Sequence, residues 1–173
     1  SPRNAAVAGF LNDAGLATLL FDLLTDREAA DRGNVFDIPL LGRRLGAVAR
    51  WLDTRRGTSR LPLGYFGAST GAAAALVAAA EHPDVAAVVS RGGRADLAGE
   101  ALGAVEAPTL LVVGSHDVQV LELNRQAAAQ MNAPVTVEVV PGAGHLFEEP
   151  GTLERVAGLA AGFFLRELRS PSA

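Results

Sequence analysis

The sequence predicts an α/β fold, a mostly parallel sheet with helices on both faces. Three observations carry this reading. Short continuous apolar runs, as at residues 16–21, 85–89 and 109–113, have the pattern of strands buried on both faces. Longer segments of helical period separate them. Glycine-bearing turns stand where the later runs give way to helices. Strand and helix alternate five times. No repeat, low-complexity linker or composition shift breaks the pattern, so residues 1–173 are expected to form one domain.

The elements follow in order. Pro2 suits the first turn of a helix that runs to Asp13, with Gly15 as its stop and Val7, Phe10, Leu11 and Ala14 on one face. Residues 16–21 predict the first strand, ended by Asp22. Residues 25–34 are polar and lack a period, which predicts a mobile loop that could act as a lid. Residues 38–55 predict a helix, because Leu41, Leu45, Val48, Ala49 and Leu52 follow the 3.6 period. Residues 63–66 predict a short strand, and 70–81 a helix apolar almost all round and therefore deeply buried. His82-Pro83 closes it. A strand at 85–89 leads into the loop Arg91-Gly92-Gly93-Arg94, after which Asp96 could cap a short helix. A strand at 109–113, a helix at 120–131, a strand at 135–140 and a helix at 152–168 complete the chain.

The bulk composition narrows the function. Apolar residues make up 49% of the chain, which excludes a disordered protein. The net charge of −4 and the lack of a Lys/Arg block argue against nucleic-acid and membrane-surface binding. Without cysteine there is no disulfide and no thiolate nucleophile. His82, His116 and His145 lack the spacing of a metal site, so neither metal nor cofactor is expected. No apolar run reaches the roughly 18–20 residues of a membrane span, and no signal peptide is visible. A cytoplasmic protein is expected. The opening Ser1-Pro2-Arg3-Asn4 falls inside a predicted helix start, so an upstream segment is expected to be lacking from this chain.

The loops beyond the carboxyl ends of the strands carry the candidate chemistry, as open α/β sheets require. Gly67-Ala68-Ser69-Thr70-Gly71 lies between a predicted strand and a buried helix. In that context Gly-x-Ser-x-Gly is a nucleophile elbow. The glycines leave room for a strained turn, and the helix N-terminus points amides at the site. The Thr70 N–H is the candidate oxyanion donor. A glycine-flanked turn with a capping serine would read the same way. Serine needs a base, and His145, in the glycine-rich loop after the last strand, is the candidate. Asp117, directly after the preceding strand, would orient that imidazole; it equally suits a helix N-cap. The order Ser, Asp, His is the one this arrangement expects. His116 is a rival base on the wrong side of the acid, and His82 suits a helix end. Arg91 and Arg94 are candidate substrate-binding residues, able to hold a carboxylate or phosphate; pairing with Asp96 would explain them without substrate. Arg43 and Arg44 suit a solvated helix face. Glu148 and Glu149 suit the N-terminal dipole of the last helix.

On Phe66-Gly67-Ala68-Ser69-Thr70-Gly71, Gly114-Ser115-His116-Asp117 and Gly142-Ala143-Gly144-His145-Leu146-Phe147, the chain resembles the dienelactone-hydrolase-like branch of the α/β-hydrolase superfamily, over essentially its whole length. The resemblance implies a parallel sheet of the eight-stranded type, cofactor-free acyl transfer, and Ser69, Asp117 and His145 as a catalytic triad. It also implies that the family's early strands and His-Gly oxyanion loop precede the first helix here, leaving the fold N-terminally incomplete. Domains with Ser-Arg-Gly-Gly-Arg after the nucleophile helix, as at Ser90 to Arg94, resemble ones fused to phosphoribosyltransferase domains. Fusion or association with such a domain is therefore implied. Family members use a cysteine nucleophile on dienelactone; Ser69 favours a general ester or lactone. The expected function is a serine carboxylesterase acting on a small-molecule ester. The alternatives are a non-catalytic binding or regulatory module and an acyltransferase with the same triad.

Overall fold

The structure, a computed structural model, describes residues 1–169. Helix α1 spans Pro2–Asp13, with proline in its first turn and Gly15 at φ 93° just past its end. Two one-turn helices follow, α2 (Asp26–Ala29) and α3 (Arg32–Val35), then α4 (Ile38–Asp53). Strand β1 (Leu63–Ala68) precedes α5 (Thr70–Glu81), and β2 (Val85–Arg91) precedes a 3-10 segment (Ala95–Ala104) kinked at Gly99. β3 (Thr109–Gly114), α6 (Val118–Ala129), β4 (Val135–Val140) and α7 (Thr152–Glu167) complete the order.

The four strands form one parallel sheet in the order β1-β2-β3-β4. Each connection carries helix, and crossovers of one hand along a sheet growing in one direction stack on one face. That face holds α4, α5, the 3-10 segment and α6, packed on Tyr65, Val85, Val88 and Leu111. The opposite face holds α1 and α7, packed on Ala87, Val89, Leu110, Val112 and Val140. The two sets alternate along the strands because successive side chains leave a strand on opposite sides. α5 is alanine-rich, with Ala72 to Leu76 fully buried, and the small side chains let it lie close to the sheet.

Several expectations change. Residues 16–21 form no strand: no ladder partner lies beside them among the described residues, and Leu19 and Leu20 are half exposed. An apolar run signals a tendency to bury; it does not supply the neighbour a strand requires. Residues 25–34 are not a loop. Thr25 and Glu28 form a reciprocal capping box, and Arg44 grips Glu28 through two bonds of 2.7 and 2.8 Å while donating to Leu23 O. Arg44 is thus paired rather than solvated, and it holds the Glu28 carboxyl down at about 2. β2 runs through Arg91, two residues further than expected. Phe10 turns outward, away from the buried Val7 and Leu11. The described sheet has four strands where the resemblance implies eight. No helix among the described residues is long and apolar enough to cross a membrane.

Candidate active site

Ser69 sits between β1 and α5 with φ 51° and ψ −124°. For a non-glycine residue such a backbone costs about 1–3 kcal/mol and persists only where its surroundings impose it. Gly67 is part of that imposition, since a Cβ there would collide with the Gly71 carbonyl. Gly71 itself has open space around it, so of the two glycines only Gly67 answers a steric demand. Ser69 is exposed at the sheet edge and its side chain does not cap α5. The first N–H groups of a helix have no intrahelical acceptor, so the Thr70 N–H stands free of the helix ladder beside the serine.

Asp117 and His145 come from the loops after β3 and β4. Asp117 Oδ2 lies 2.6 Å from His145 Nδ1. Asp117 occupies the N-cap position of α6, yet its carboxylate makes no cap bond and turns to the imidazole instead. The acid is mostly covered, at 14% side-chain exposure, while the histidine is open at 41%. The bond to one ring nitrogen sets which nitrogen of the imidazole carries the proton.

The two loops are tied to one another. Ser115 N donates to Val140 O at 3.0 Å, His116 N to Ala143 O at 3.0 Å, and Gly142 N to Ser115 Oγ at 2.8 Å. Gly114 permits this approach, since a Cβ there would strike the Ala143 carbonyl. The turn bearing His145 is held by Glu149, whose Oε1 accepts from Gly144 N at 2.9 Å. Its carboxyl is held low by its own backbone N–H and by that of Gly144. Phe147, at φ 53° and buried, anchors the same turn. Glu149 is therefore a loop clamp as well as a helix-dipole charge, a role the sequence reading missed. Glu148 pairs with Arg3 of α1 at 3.1 Å.

The other candidates separate from this group. His116 is exposed and makes its recorded bond through its backbone, so it is not the ring facing Asp117. His82 sits at the end of α5, 3.2 Å from Arg50 Nη1. Arg94 is engaged by Asp96 in two bonds of 2.9 and 2.8 Å. Arg91 points to the α1 face, because the two extra residues of β2 set its parity with Ala87 and Val89. It is buried there, donating to Asn4 Oδ1 at 2.8 Å, and burial lowers its pKa, with Arg3 nearby adding to the effect. Arg91 thus has an internal partner in Asn4, and Arg94 makes the Asp96 pairing that the sequence offered beside a substrate contact. A cleft of about 640 Å³ runs along β1, lined by residues 16–24 and by α4, and reaches Ala68, Thr70 and Gly71.

Residues 27–160 match the model of the dienelactone hydrolase family. A dienelactone hydrolase from Anabaena variabilis, solved by crystallography, is 52% identical and superposes with a TM-score of 0.92 over 98% of this chain and 81% of that one. The esterase domain of a Rhodothermus marinus protein shares the fold, at TM-score 0.76 and 20% identity over 96% of this chain and 80% of that one. Proteins of two Mycobacterium tuberculosis strains, both named "putative phosphoribosyl transferase", are 60% identical over 99% of this chain. The chain spans 39% of the length of these curated relatives.

Proposed function

The chain belongs to the dienelactone hydrolase family, and we propose that it is a serine hydrolase cleaving carboxylic esters or lactones through an acyl-enzyme. The observation that carries this reading is the 2.6 Å Asp117–His145 bond at the strand edge that also bears the strained Ser69. Asp117 fixes the imidazole tautomer, so that Nδ1 donates and Nε2 is left as the base.

The steps follow from that division of labour. Ser69 Oγ attacks the ester carbonyl while His145 Nε2 takes its proton. The oxyanion that forms meets the Thr70 N–H and the positive end of α5. His145 then gives the proton to the leaving alkoxide, and the C–O bond breaks. Water attacks the acyl-enzyme with His145 again as base, releasing the acid and restoring Ser69. Asp117 remains ionised and stabilises the imidazolium throughout. Arg91 and Arg94 are given no substrate contact, because their guanidinium groups already serve Asn4 and Asp96.

The names of the M. tuberculosis relatives bear on association. This chain covers 39% of those relatives, and the shared name supports the proposal that it is joined to, or associates with, a phosphoribosyltransferase part. Turnover of short-chain esters by the intact protein, and its loss in Ser69→Ala, tests the hydrolase reading. A wild-type protein that turns over no ester or lactone of a broad panel would overturn it.

A further inference from the structure

The strained Ser69 backbone must be held from outside its own turn. Its carbonyl oxygen accepts two backbone N–H groups, from Ala72 at 3.2 Å and from Arg94 at 3.0 Å. The first lies within α5. The second comes from the loop after β2 and belongs to the peptide linking Gly93 to Arg94. The carbonyl oxygen of that same peptide accepts from Asn124 Nδ2 at 2.8 Å. A peptide unit is planar, so fixing its oxygen fixes the direction of its N–H. One plane is thereby held at both ends, by Asn124 on one side and by the nucleophile's carbonyl on the other.

Gly93 makes this anchor necessary. A Cβ there would collide with Ser90 Oγ and Ala72 Cβ, so only glycine fits. Glycine is also the residue about which a peptide plane turns most freely. Asn124 is fully buried in α6, and its amide is oriented by a second bond to Val120 O at 2.8 Å. Asparagine is a poor residue for a helix interior, and a buried amide is costly unless bonded. Its bond to Gly93 gives it a task there. Asp117 occupies the N-cap position of α6, so one helix has the acid at its threshold and the brace for the elbow two turns on.

We infer that Asn124 is a positioning residue for Ser69, holding the Gly93–Arg94 peptide so that its N–H fixes the elbow carrying the nucleophile. The kinetic consequence rests on the proposed hydrolase reading; the structural consequence does not. The experiment compares the intact wild-type protein with Asn124→Ala, Asn124→Ser and Arg94→Pro, the last of which deletes the N–H itself. Gln126→Ala, on the exposed face of α6, is the control. The expected result is a fall of about ten- to a hundredfold in kcat and in the rate of fluorophosphonate labelling of Ser69, with KM within about twofold. Asn124→Ala combined with Arg94→Pro falls no further than the weaker single variant. Hydrogen exchange at the Arg94 amide loses its protection in Asn124→Ala and keeps it in Gln126→Ala. Should Asn124→Ala fail to fold, Asn124→Ser and Arg94→Pro carry the same expectations. Folded variants with wild-type labelling rates and a still protected Arg94 amide overturn the inference. If the wild type neither labels nor turns over, the hydrolase reading fails, and Arg94 exchange alone still decides whether Asn124 holds the peptide.

Discussion

Asp117 Oδ2 and His145 Nδ1 stand 2.6 Å apart although 28 residues separate them in the chain. Adjacent parallel strands bring them together: Gly114 at the end of β3 is in register with Val140 at the end of β4. The cross-loop bonds around Ser115 and His116 then fix the spacing. The pairing of acid and ring is a product of sheet register.

Asp117→Asn keeps the shape of the acid but offers the imidazole an amide, which no longer enforces the tautomer. The expected loss in kcat is roughly a thousand- to ten-thousandfold, with the melting temperature little changed. Steady-state kinetics on a short-chain ester, beside a thermal melt, checks it.

Gly114→Ala drives a Cβ into the Ala143 carbonyl, which is backbone and cannot step aside cheaply. The expected cost is about 1–3 kcal/mol of stability, together with a drop in kcat as the two loops part. Urea unfolding measures the first and ester turnover the second.

Tyr65 is the single tyrosine of the chain, and burial pushes its hydroxyl up to about 12. Its phenolate absorbance is expected to appear near pH 12 in the folded protein, against about 10 in the unfolded chain. The folded state holds its proton more tightly, so the sign is fixed. The contribution to stability is complete below pH 10 and is lost as pH rises towards 12. Alkaline melts of wild type and Tyr65→Phe are expected to converge below that window and diverge within it.

Glu28 runs the other way. Its carboxyl is lowered from 4.5 to about 2, first by the hydrogen bonds from Arg44 and then by the backbone N–H of Thr25. The unfolded state therefore binds its proton first as pH falls. The stabilisation is present above pH 4.5 and is lost as pH drops towards 2. The gap in melting temperature between wild type and Glu28→Gln is expected to be widest near neutral pH and to close in acid. Salt should narrow it too, because the pair is partly exposed.

The sequence made the fold class, the helix of residues 70–81 and the strand of residues 135–140 legible: the helix is apolar almost all round, and the strand is rich in valine although only part of it is buried. It offered Ser69, Asp117 and His145 as a candidate group because each follows a strand, and Asp117 and His145 are bonded to one another. Pairing was harder. Residues 16–21 carry the same apolar signal as β3 and form no strand, since a ladder depends on a neighbour elsewhere in the chain. Parity was harder still: two further residues in β2 turn Arg91 from the site edge to the α1 face. Two signals were present and unused. Thr25 with Glu28 has the spacing of a capping box. Asn124 lies three residues from each of Leu121 and Ala127, on the buried stripe of α6, where an amide demands a partner.

Labelling of the intact protein with a fluorophosphonate, followed by mass mapping of the modified peptide, tests the assignment of Ser69 as nucleophile. That assignment predicts one adduct, on Ser69, formed readily in wild type, absent in Ser69→Ala and slowed in Asp117→Asn. Labelling that is absent in wild type, or that persists unchanged in Ser69→Ala, would contradict it.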